Sequence, residues 1–168
     1  MLRLIFIWTL LLFVSCGHKA ETKITEEKTN IQSTVVKNEN QIKTALTFLN
    51  SYVDNCNKMK ESIGVIEWVD SNNLTTNRFK TELKRIIEDA YKVEPKIGLD
   101  ADPIFDAQDY PDKGFELESL DSITNILLVK GKNWPEFKLT IRMVKENADW
   151  LVDGCGMINI PNDKRVAR

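Results

Sequence analysis

Residues 136–146 read EFKLTIRMVKE, and this stretch decides the fold. Phe137, Leu139, Ile141 and Met143 alternate with Lys138, Thr140 and Arg142. A strict period of two places one set on a buried face and the other toward solvent, which is the pattern of a half-buried antiparallel strand. Residues 147–160, NADWLVDGCGMINI, continue it as a hairpin partner that turns at Glu146 to Ala148 and points Trp150 and Val152 inward. Upstream, residues 114–120 (GFELESL) and 122–131 (SITNILLVKG) supply two further strands.

Ahead of these strands the period changes to that of a helix. Ile42, Ala45, Leu46, Leu49, Tyr52, Val53 and Cys56 recur on one face, predicting a helix over residues 39–60. Residues 75–93, TTNRFKTELKRIIEDAYKV, predict a second, with Thr75 or Thr76 as N-cap, a buried face from Phe79 to Tyr91, and Pro95 as its stop. Between them SIGVIEWVDSNN reads as a connection or short strand, because Gly64 and the paired asparagines oppose a continued helix. The fold class is therefore α+β: two N-terminal helices packed on an antiparallel sheet of about four strands.

The start of the chain belongs to something else. One basic residue, Arg3, precedes an apolar run from Leu4 to Val14, too short for the roughly 20 residues of a spanning helix and suited to a signal-peptide core. It ends in Phe13, Val14, Ser15, Cys16, which resembles the lipobox of bacterial lipoproteins, where the cysteine is lipidated and becomes the new N-terminus; phenylalanine stands in place of the usual leucine. The resemblance implies a protein of the bacterial cell envelope, anchored to a membrane through Cys16 and facing the periplasm or the cell surface. The alternative is an ordinary secretory signal in which Cys16 has no special role. Residues 1–15 then form the signal peptide, 16–38 the lipidated cysteine and a polar tether with a reach of roughly 25 Å, 39–160 a single domain, and 161–168 a tail.

Charge and residue types exclude several functions. Removing residues 1–15 takes away Arg3 alone and leaves 22 basic against 25 acidic side chains, with no basic stripe for phosphate contacts, so nucleic acid is not an expected partner. Residues 97–121 carry eight acidic side chains against Lys113, and residues 130–168 eight basic against five acidic, so the two regions complement each other or a partner. The only histidine, His18, lies in the tether, which removes Ser-His-Asp and Cys-His arrangements from the domain. No cofactor motif is present. Cys56 and Cys155 either form a disulfide closing a loop of about 100 residues, worth roughly 4 to 5 kcal/mol, or sit reduced in the interior.

The acidic stretch GLDADPIFDAQDYPDKG, residues 98–114, is the main candidate site. It fails as an EF-hand: counted from Asp100, Phe105 stands where a glycine is needed and Pro111 where the glutamate is needed. A looser hard-cation site from Asp100, Asp102, Asp106 and Asp109 is one alternative; a hydrolytic carboxylate pair drawn from Asp106, Asp109, Glu116 or Glu118 is another. Against both stands a turn in which the aspartates bond nearby amides and proline fixes φ. Asp102, Gln108 and Asp109 are the binding candidates here, with Gln108 and Asp109 expected to tie the crossover to the sheet edge. Trp134, in the turn before the decisive strand, is a candidate partner contact, beside Lys130, Lys132 and Lys138. Asp121 to Ile123 matches a three-residue O-glycosylation motif of some Gram-negative bacteria.

Taken together, LTTNRFKTELKRIIEDA, DADPIFDAQDYPDKGFEL and DWLVDGCGMIN resemble a family of bacterial lipoproteins sharing a domain of unknown function, whose most specific mark is the run DPIFDAQDYP. The resemblance spans roughly residues 40–160 and implies a layout like NTF2-like or cystatin-like domains, with helices across a curved sheet. It implies no chemistry. The expected function is a non-enzymatic binding or protein-interaction module, an accessory or immunity-type inhibitor of another envelope protein; the alternative is a hydrolase or cation-binding protein using the acidic loop of residues 100–112.

Overall fold

The computed structural model describes the backbone of residues 20–166 and the side chains of residues 38–166. The signal peptide, Cys16 and His18 lie outside the described residues. The chain divides into two units between Val35 and Val36. In the first, the described part is helical backbone belonging to α1 (Ala20–Cys56). The sequence predicts a flexible tether as far as residue 38; the backbone is instead helical from Ala20. Residues 20–38 contain three Glu, three Lys and one Gln, which lose little rotamer freedom in a helix, against eight β-branched Thr, Ile and Val, which lose more.

The second unit contains α2 (Val65–Ser71), α3 (Asn77–Val93) and the strands β1 (Phe115–Asp121), β2 (Ile126–Gly131), β3 (Lys138–Glu146) and β4 (Asp149–Cys155). The strands form one antiparallel meander in the order β1-β2-β3-β4. This is the expected α+β layout, with three helices rather than two. The inward set of the decisive stretch is as its period demands, with Phe137, Leu139, Ile141 and Met143 buried and Trp150 and Val152 joining them from β4; Thr140, expected toward solvent, is also buried. The hairpin turns at Asn147 and Ala148, with Asn147 at φ 55°.

The third helix, α2, corrects the reading of residues 62–73. Val65, Trp68 and Val69 share one helical face, and Trp68 and Val69 are buried. Gly64 stands at the N-cap, outside the helix, and Asn72 ends it by accepting a hydrogen bond from Leu74 N at 2.8 Å. The predicted breakers therefore mark the two ends of a seven-residue helix. Residues 161–166 of the tail are held to the domain: the Thr140 hydroxyl donates to Lys164 O at 2.8 Å, and Arg165 donates to Ile160 O and Met157 O, both at 2.9 Å.

The position of α3 is set at the outer edge of β4. Val152 N donates to Leu74 O and Thr76 N to Val152 O, so residues 74–76 add a short parallel bridge that covers the edge. Thr76 is the N-cap; its hydroxyl accepts from Phe79 N at 3.0 Å and donates to Asp153 Oδ1 at 2.9 Å. Asp153 itself is the extra residue of a bulge, because Arg142 faces Gly154 while Met143 faces Val152. The bulge turns a carboxylate that would otherwise alternate outward toward the helix cap. On the outer sheet face Lys130 lies 3.6 Å from Glu116 and Lys138 2.6 Å from Glu118, so part of the acidic and basic regions face each other.

Candidate functional site

The acidic loop is built around a buried plug. Ile104 and Phe105 are fully enclosed, and the Phe105 ring packs on Tyr52, Tyr110 and Phe115 at centroid distances of 5.1, 4.9 and 6.1 Å. Asp102 holds the plug's backbone: its Oδ1 accepts from Ile104 N at 2.8 Å and Phe105 N at 2.9 Å, and its Oδ2 from the Tyr52 hydroxyl at 2.5 Å. Asp106 closes the turn in the left-handed region at φ 54°, with its amide on Asp102 O. At Gly156, φ +56°, a Cβ would collide with the carbonyls of Ile104 and Pro103. The glycine lets β4 press directly onto the loop, and Met157 N donates to Pro103 O at 2.9 Å.

Burial holds the Asp102 carboxyl above the usual carboxylate range, while the bonds from Tyr52 and the two amides pull it back. Burial, then the Asp102 charge, raises the Tyr52 phenol, which stays protonated. The Cys56 thiol beside them is pushed up to about 11, again by burial first and Asp102 second. Cys56 is thus a neutral thiol at pH 7, without the thiolate a nucleophile needs. Cys56 and Cys155 are both free thiols in the structure, Cys155 buried with its thiol 3.5 Å from Ile104 O.

Outside the plug lies an open groove of about 1080 Å³ between α2, the end of α3 and residues 97–108. Its apolar wall comes from Val65, Ile66, Ile87, Tyr91, Ile97 and Leu99. Tyr91 is 52% and Ile97 64% exposed, large for apolar side chains beside a formed core. The placement of Tyr91 corrects the expectation that it belongs to the buried face of its helix. A glycine makes this wall: at Gly98, φ +69°, a Cβ would stand 2.8 Å from the Tyr91 ring. The polar lining is acidic, with Glu67, Asp70, Asp100 and Asp102 and no basic side chain. Lys84 reaches Asp70 from outside at 2.8 Å.

The structure brings two of the sequence candidates to this groove and leaves two elsewhere. Asp102 and Gln108 line it. Asp109 is exposed and does not, and neither it nor Gln108 ties the crossover to the sheet. That tie comes instead from Asn50, whose side chain bonds both Phe115 N and Phe115 O, and from Asn133 on Asp112 at 2.6 Å. Trp134 is 42% exposed in the β2–β3 turn, its ring tilted by 60° on Phe137 at 5.1 Å, away from the groove's lining. The cation site does not assemble: among the described residues no group of three or more His, Cys, Asp or Glu is placed to hold a metal ion. Ser122 lies in the exposed β1–β2 turn.

Sequence reasoning missed the groove because its walls come from three separate segments. An available signal was the apolar sequence Tyr91, Val93, Ile97, Leu99, which continues past the helix end into a polar loop. Among the described residues no helix is long and apolar enough to cross a membrane. No family model, curated protein or solved structure matches the chain.

Proposed function

We propose that the chain is a membrane-tethered envelope lipoprotein of the family that its DPIFDAQDYP run resembles, and that its domain binds an apolar, positively charged segment of another envelope protein. The groove carries this reading: an apolar wall of exposed Tyr91 and Ile97 beside a lining that is acidic and lacks any cation. Its volume of about 1080 Å³ lies at the top of the range for small-molecule pockets and it is open to solvent, which suits a peptide segment. The segment from Leu4 to Cys16 supports the tether. The hydrolase alternative has less support, since Asp102 is committed to Tyr52 and two amides and Asp109 is exposed away from the groove.

Fluorescence anisotropy with two labelled amphipathic peptides tests the binding reading, one of leucine and lysine and one of leucine and glutamate. The lysine peptide is expected to bind and the glutamate peptide not. Ile97→Lys, at an exposed position, is expected to weaken binding about tenfold with an unchanged melting temperature. Equal affinity for both peptides, or indifference to Ile97→Lys, refutes the reading. The anchor is tested separately by the mass of the mature N-terminus, expected to carry a diacylglyceryl adduct at Cys16.

A further inference from the structure

A second pocket, of about 590 Å³, lies at the start of α3 against the bulge of β4 and the C-terminal segment, and it is rich in arginine. Arg78, Arg142 and Arg165 line it, with Thr81, Asn159 and an apolar side from Met157, Ile160 and Pro161. One carboxylate serves two of these guanidinium groups: Asp153 Oδ2 accepts from Arg78 Nη1 at 2.8 Å and lies 2.9 Å from Arg142 Nη2. One positive charge is therefore left over. The Nε and Nη2 of Arg142 are buried, and neither reaches an acceptor with hydrogen-bond geometry, although Nη2 is within ion-pair distance of Asp153.

Among the described residues Arg165 bonds only neutral carbonyls, those of Ile160 and Met157, and no carboxylate there answers its charge. The one other acid on the lining, Glu82, has both oxygens held by Arg85 at 2.7 and 2.8 Å, so its charge is already answered. Buried donors without acceptors are uncommon because each forfeits its bonds to water. Guanidinium forks match the planar oxygens of carboxylate or the tetrahedral ones of phosphate, and Arg142 and Arg78 present theirs toward a shared space.

We infer that this pocket is a binding site for the oxyanion group, carboxylate or phosphate, of a small ligand. The anion answers the excess charge of Arg142 and Arg165 from the pocket that both side chains line. Met157, Ile160 and Pro161 take the ligand's apolar part. The site stands on observations separate from the groove and does not depend on it.

The test uses the whole protein, titrated with inorganic phosphate and separately with acetate while sodium chloride holds the ionic strength constant. Two readouts apply: the melting temperature and the Nε–H resonance of Arg142. At least one anion is expected to give a saturable rise in melting temperature together with a shift of that resonance. Phosphate alone points to a phosphoryl ligand and acetate alone to a carboxylate. Thr81→Glu, an acid placed on the pocket wall at an exposed helical position, is expected to weaken binding at least tenfold, and Arg165→Gln about tenfold if Thr81→Glu perturbs the fold. Responses no larger than those to chloride, or responses that survive both substitutions, overturn the inference.

Discussion

Asp153→Asn is the substitution that probes the packing of α3 on the sheet most sharply. The side chain of Asp153 is 6% exposed, that of Arg142 24% and that of Arg78 63%. Asparagine keeps an oxygen for the Thr76 hydroxyl, so the cap contact survives, while the Oδ2 acceptor that faces both arginines is replaced by an uncharged NH2 donor. The Arg78 pair sits in water and is worth about 0.5 kcal/mol. Arg142 decides the outcome, because a partly buried guanidinium that loses its carboxylate approaches the cost of a broken buried pair, about 3 kcal/mol. The expected fall in melting temperature is about 10 °C. Urea unfolding at pH 7 gives the free energies, with Arg78→Gln as the comparison, expected to lose about 0.5 kcal/mol. Adding Arg142→Met to Asp153→Asn should recover more than half of the loss, since the stranded charge is then gone. Equal losses in Asp153→Asn and Arg78→Gln, or no recovery in the double variant, refute the reasoning.

Three further outcomes follow from the loop. Phe105→Ala empties the plug and should cost about 3 to 5 kcal/mol in urea unfolding, which separates a structural loop from a surface one. Gly98→Ala, strained at φ +69° and driven into the Tyr91 ring, should lose about 1 to 2 kcal/mol and weaken binding of the leucine-lysine peptide. The third concerns pH. Because the Asp102 carboxyl titrates above its unfolded value, the native state holds that proton more tightly, and the group's contribution is full below the unfolded value and lost as pH rises through the folded one. Relative to Asp102→Asn, the wild-type melting temperature should therefore rise as pH falls from 7 toward 4. A difference that shrinks over that range contradicts the assignment.

Periodic elements were legible in the sequence and contact-dependent ones were not. The alternation from Phe137 to Met143 and the stripe from Phe79 to Leu83 follow from local geometry, so β3 and α3 could be read residue by residue. The helix α2 was hidden, since seven residues carry too few repeats to outweigh Gly64 and two asparagines, and only the burial of Trp68 and Val69 makes it a helix. In the loop, the turn role of Asp102 could be read from its proline. Its bond to Tyr52, fifty residues earlier in the chain, could not. WLVDG drew notice as a pattern, yet the role of its aspartate depends on a bulge and on Thr76, Arg78 and Arg142, which no spacing reveals. The groove was the least legible of all, assembled from residues near 65, 90 and 100 by tertiary packing.

We propose that the surface between α2, α3 and residues 97–108 is where the protein meets its partner. Amide chemical shifts recorded while the leucine-lysine peptide is added test it most directly. Saturable shifts confined to residues 64–71, 87–91 and 97–108 are expected, with the β1–β2 turn at residues 122–125 unmoved. Shifts centred on that turn or on Trp134, or none at saturating peptide, would contradict it.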